Sequence, residues 1–153
     1  MKQFILLGLI ALASSGSQDA IVYYGRGLAK STKGDQDGAI ADFSKAIELN
    51  PKLAEAYLDR GGAKQTKGDL EGAIVDENQA IELNPKLAEA YFNRGLAKVT
   101  KGDLEEAIAD FNQAIEFNPK LAAAYLNRGQ VDKLNKPTET SREPLPMTIK
   151  QLG

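Results

Sequence analysis

Three aspartates recur in one setting along this chain of 153 residues: Asp35, Asp69 and Asp103, each closing the four-residue stretch TKGD and each 34 positions after the last. With Ser, Thr, Lys and Tyr, such carboxylates are what remains for chemistry, because the sequence contains neither His nor Cys. Thiol nucleophiles, thiolate or imidazole metal sites and histidine general bases are thereby excluded. An enzyme would need paired carboxylates, Ser-Lys or Tyr chemistry. The aspartates repeat with unchanged neighbours, which is what a structural punctuation mark does and an active site does not. There is no Walker-type phosphate loop and no G-x-S-x-G, so no catalytic site, cofactor or metal is expected.

The elements that carry these residues follow from the same interval. Residues 19–52, 53–86 and 87–120 form three consecutive units; the second and third agree at 26 of 34 positions and the first and second at 21 of 34. Self-similarity at that level makes the repeat the architecture. Within a unit, LAEAYLDRGGAKQTKGD is a run of good helix formers without proline. Gly68 stands where a helix needs a left-handed stop, and Asp69 follows as an N-cap. In the third unit Asp103 and Glu106 have capping-box spacing. A second helix near Leu70–Leu83 ends at Asn84-Pro85. TKGD is thus read as a helix end joined to a helix start, and so short a joint makes the two helices antiparallel. The column Tyr23, Tyr57, Tyr91 and Tyr125 is read as core packing.

The aromatic, Gly, Ala, Phe, Ala and Pro at these spacings, with NRG…KGD…AI…AI…NP, resemble the tetratricopeptide repeat (TPR). The resemblance covers residues 20–134 and implies an all-α fold, a right-handed superhelical solenoid of antiparallel helix pairs whose first helices line a concave groove. Residues 121–129, LAAAYLNRG, begin a fourth unit that has no KGD, so 121–134 is read as a capping helix. Three repeats and a cap are close to the smallest array that buries a continuous core.

The flanks differ. Residues 1–18 open with one Lys, an apolar run from Phe4 to Ala13 and Ala11-Leu12-Ala13, the order of a secretory signal peptide. Export to a periplasmic or extracellular space is expected if it is cleaved, and a cytoplasmic location otherwise. The run is about half the ~20 apolar residues of a spanning helix, so no stable membrane span is expected. Residues 135–153 contain three prolines among Thr, Ser and Glu without periodicity, and read as a disordered tail.

What the resemblance implies for binding is carried over by slot. The groove positions are Ile21, Tyr24, Leu28 and Thr32, then Glu55, Leu58, Gly62 and Thr66, then Glu89, Phe92, Leu96 and Thr100, and in the cap Ala123, Leu126 and Gln130. Tyr24, Leu58, Phe92 and Leu126 would form an apolar floor with Glu55 and Glu89 on one edge. That suits another protein's peptide or amphipathic helix. The clamp with which some TPR domains grip acidic chaperone tails would need Lys and Asn where Tyr24 and Leu28 stand. Nucleic acid is not an expected partner, since units two and three carry four basic residues each against seven and six acidic ones. The expectation is a non-enzymatic interaction scaffold. The alternative is a self-associating assembly protein, a homo-oligomer built through its repeat ends.

One residue breaks the pattern. Glu77 occupies the slot of Phe43 and Phe111. A carboxylate there must turn outward, find a cation or take up a proton. Local drift in a tolerant repeat is the simplest account of it.

Overall fold

The computed structural model describes residues 2–135, with side chains from Gly16 onward. Seven helices are found among them and no strand: α1 (Lys2–Thr32), α2 (Gln36–Leu49), α3 (Ala54–Thr66), α4 (Leu70–Leu83), α5 (Ala88–Lys101), α6 (Leu104–Phe117) and α7 (Ala122–Asn135). The helix read from the sequence at Leu70–Leu83 has those bounds. The capping helix is α7, one residue later at each end than expected. The proposed tail lies outside the described residues from 136 on. At the other end the backbone shows no break at 18/19, since α1 runs on as one helix from the apolar run into the first repeat.

Two kinds of joint alternate. At the tips of the hairpins Gly34, Gly68 and Gly102 adopt φ of +83°, +84° and +93°, a left-handed conformation that glycine enters without a Cβ clash. The Asp35 and Asp69 side chains then accept the N–H groups of Gly38 and Gly72 at 2.9 Å. The third tip departs from expectation: Asp103 makes no side-chain cap bond. Lys101 lies 3.8 Å from its carboxylate, and Glu106 is 3.5 Å from Lys98 instead of folding back. Both members of the capping box thus lie near lysines, although Lys101 is closer to Glu71, at 2.6 Å. Between hairpins, Asn50, Asn84 and Asn118 accept the backbone N–H two residues ahead at 3.2 Å, fixing the turn at each Asn-Pro.

Consecutive helices pack on one another throughout, and α3 also touches α1 and α5. The odd-numbered helices therefore gather on one side and form the inner wall. The buried centre is lean. Alanines such as Ala39, Ala56, Ala73, Ala90 and Ala107 allow close approach, and Phe43 and Phe111 are its largest fully buried apolar side chains. Val131 of α7 closes over Ala107 and Phe111, with Phe92, Leu96, Val99, Leu104 and Ile108 around them.

Candidate functional site

The four tyrosines are not the core. Tyr125 is 42% exposed, and Tyr23, Tyr57 and Tyr91 are half-buried. Each ring lies under the guanidinium three residues later: Arg26, Arg60, Arg94 and Arg128 sit 5.1, 5.5, 5.4 and 5.6 Å from the ring centres. Residues three apart share a helix face, so ring and cation stack along it.

Those arginines belong to a lattice that the sequence reading missed. Arg60 Nε and Nη2 donate to Asp76 at 2.9 and 2.6 Å, while Nη1 reaches back to Ser44 of the preceding hairpin at 3.0 Å. Lys64 adds a second cation to Asp76 at 2.8 Å. The next unit repeats this, with Arg94 and Lys98 on Asp110 and Arg94 Nη1 on Asn78 at 2.6 Å. In the first, Arg26 and Lys30 meet Asp42. The signal was present: Arg, Lys and Asp each return every 34 residues, with Arg and Lys one helical turn apart. These buried carboxylates hold helices together.

The sequence-predicted groove positions lie on α1, α3, α5 and α7 and differ in exposure. Tyr24, Leu58, Phe92 and Leu96 are half-buried, Leu28 is 39% exposed and Leu126 is 66% exposed. Glu55 and Glu89 are exposed beside them. The floor is open to a visitor but also serves the interior. Tyr24 packs on Phe43 and Phe92 on Phe111, both with ring centres 5.8 Å apart. The threonines of the same slots are turned away: Thr32, Thr66 and Thr100 donate to the carbonyls of Leu28, Gly62 and Leu96, one turn back in their own helices.

Polar groups concentrate where α1, α3 and α5 meet. The Tyr24 hydroxyl donates to Asp59 Oδ2 at 2.7 Å. Burial, that bond and the negative charges of Asp59 and Glu55 hold the phenol well above its usual range. Burial likewise raises Asp59, the Tyr24 bond pulls it back, and Glu55 raises it further.

Glu77 neither turns outward nor finds a cation. It is 1% exposed, and no hydrogen bond of good geometry reaches either carboxyl oxygen, though the Asn93 amide is close enough to favour the ionised form. Burial above all, then the fields of Asp76 and Asp59, push its acid up to about 9 against the pull of Asn93 and Arg94. Of the three options foreseen from the sequence, burial favours the third, uptake of a proton. A hollow of about 320 Å³ at Gly102–Glu106 and Asn135 lies at the third hairpin tip, apart from this wall.

With this geometry in hand, comparison with known proteins is informative. The family profile described as TPR repeat matches residues 31–68, 65–102 and 97–133. Among solved structures, the TPR domain of Arabidopsis OM64 superposes with a TM-score of 0.77 at 25% identity, covering 78% of this chain and 98% of that one. The first TPR of Spaghetti (RPAP3), bound to the HSP90 peptide SRMEEVD, gives 0.76 at 27% identity, with 77% and 94% covered. The second TPR domain of human RPAP3, in complex with the HSP70 peptide SGPTIEEVD, gives 0.73 at 26%, with 76% and 98% covered. No curated protein sequence matches.

Proposed function

Because the chain belongs to the tetratricopeptide repeat family, we propose that it is a non-enzymatic scaffold whose inner wall receives a peptide or helix of another protein. The observation that carries this reading is the partly exposed apolar column of Tyr24, Leu28, Leu58, Phe92, Leu96 and Leu126, which recurs on α1, α3, α5 and α7. The peptide complexes of the RPAP3 domains support it. A preformed wall of this kind binds by burying a partner's apolar side chains with little rearrangement of its own, while rim charges set orientation. An acidic tail such as SRMEEVD is a poor fit, since Tyr24 and Leu28 replace the Lys and Asn of the clamp.

The test is co-purification of the native partner with wild type and with a Leu28→Ala/Leu126→Ala double variant. Both side chains are more than a third exposed, so the fold survives their loss. Binding weakened about tenfold or more is expected if they are anchors, and unchanged binding discards the groove.

A second reading is self-assembly. It is favoured by the apolar residues left open at both ends, Ile21 (64%) and Val22 (59%) on α1 and Tyr125 and Leu134 (70%) on α7. Mass by light scattering that rises with concentration and falls for Leu134→Lys supports it. Export belongs to the same proposal. No helix of the described residues is long and apolar enough to cross a membrane, and the N-terminal mass of the mature protein reports whether the segment before residue 19 is removed.

A further inference from the structure

On and just behind the inner wall stand four carboxylates outside the ion pairs of the described residues. Glu55 and Glu89 stand exposed at its rim, and Asp59 is half-buried with its hydrogen bond coming from Tyr24. Glu77, 1% exposed, has no partner on either oxygen. Among the described residues none of these four takes part in an ion pair. The cations of the same helices are engaged elsewhere, Arg60 and Lys64 by Asp76 and Arg94 and Lys98 by Asp110.

Glu77 is what turns a cluster of acidic residues into a site. It leaves α4 and crosses to α3, where its Oε1 stands 2.6 Å from the point a Cβ of Gly61 would occupy. Its carboxyl there feels Asp59 of α3 and Asn93 of α5, which fill the same slot of successive wall helices. An unpaired acid thus lies against Gly61, in the slot where the flanking units place a phenyl ring, and beside Asn93 it borders the seam between α3 and α5.

We propose that this seam is a cation pocket: the partner segment inserts one Lys or Arg towards Asp59 and Glu77, flanked by apolar side chains that rest on Leu58 and Phe92. This rests on the groove reading above and names its partner's chemistry. A guanidinium or ammonium supplies the donors that Glu77 lacks and a cation beside Asp59, and charge-assisted bonds of this sort are strong where water is excluded. Glu55 and Glu89 draw the basic residue in and repel acidic tails. The arriving charge also favours the ionised form of Glu77, so its proton leaves on binding. The groups facing that proton are Asp59 of α3, Asp76 of α4 and Asn93 and Arg94 of α5; Tyr24 of α1 and Glu55 of α3 face it through Asp59.

The experiment is panning of a displayed library of random dodecapeptides on the full chain, followed by titration of the best synthetic peptide. Enriched peptides are expected to share one Lys or Arg between apolar residues. That peptide should bind Asp59→Asn and Glu77→Gln about tenfold or more weakly than wild type, and replacing its basic residue by norleucine should cost the same factor. Calorimetry in phosphate and in Tris should register proton release with wild type and none with Glu77→Gln, a near-isosteric change whose folding is checked by circular dichroism. Peptides that depend on Leu28 and Leu126 but carry no shared basic residue, or that bind the two variants as wild type, overturn the cation pocket and leave the groove standing. If no enriched peptide responds to Leu28→Ala/Leu126→Ala, the groove itself falls, and the pocket with it.

Discussion

Glu77 Oε1 occupies the space in front of Gly61 that Phe43 and Phe111 occupy in front of Gly27 and Gly95. The nearest approach to a Cβ position is 2.6 Å for the acid and 2.5 and 2.7 Å for the rings. The three sites are one design filled twice by an aromatic ring and once by an unbonded carboxyl.

Glu77→Phe should therefore stabilise the fold. It removes a buried acid that forms no hydrogen bond, a burden of about 1–3 kcal/mol, and restores the apolar contacts of the neighbouring units. Thermal unfolding by circular dichroism should shift upward by several degrees, on the order of 2–8 °C per kcal/mol. A lower midpoint would mean that Gly61 and Leu58 cannot accommodate the ring.

The same acid gives stability a pH dependence of definite sign. Folded, Glu77 titrates near 9; unfolded, it returns to its ordinary 4.5. The folded chain thus keeps a proton that the unfolded chain has released, and the stabilisation is fully present below pH 4.5. It declines as pH rises and is gone above about 9. Urea unfolding at intervals between pH 5 and 9 should show wild type weakening along the series. Glu77→Gln, which cannot ionise, should give the flatter profile, and parallel profiles would place the proton elsewhere.

Arg60 and Arg128 occupy the same slot with different consequences. Arg60 holds Asp76, which is 1% exposed, so Arg60→Met leaves that carboxylate with Lys64 alone. Breaking a buried pair from one side costs about 3–5 kcal/mol, and Lys64 should keep the loss towards the lower figure. Arg128 makes a 2.9 Å bond to Asn112 at an exposed site, and Arg128→Met should cost under about 1 kcal/mol. Denaturant midpoints of the two variants test the ordering.

Tyr24→Phe removes the donor that pulls Asp59 down. The carboxyl should then titrate higher than in wild type, followed by carbon-detected NMR of its side chain. The loss in stability should be modest, about 0.5–1.5 kcal/mol. An Asp59 titration that does not move would show that the 2.7 Å contact is not made in solution.

The features that could be read from the sequence were those whose cause is local. Gly68 and Asp69 announce a left-handed stop and a cap by type alone, and the alignment of units places Tyr24, Leu58, Phe92 and Leu126 on one wall. What escaped depended on two helices at once. The tyrosines look like core until the arginines above them are placed. Asp103 and Glu106 look like a capping box until Lys101 and Lys98 compete for them. At Glu77 the conflict was visible but its outcome was not. Whether the acid swings out or stays is decided by the direction α4 gives its Cβ and by the room that Gly61 leaves.

Every arginine of the series from Arg60 on ties its helix to the hairpin behind it, yet among the described residues no helix follows α7 to offer Arg128 an aspartate. Backward, α7 is held like α3 and α5, by one arginine bond to the helix before it and by packing, here of Val131; forward, α3 and α5 are each also clasped to the next helix by two cations on one carboxylate. Were α7 to detach, Phe111 and Ala107 would be bared while the α3–α4 and α5–α6 hairpins kept their clasps.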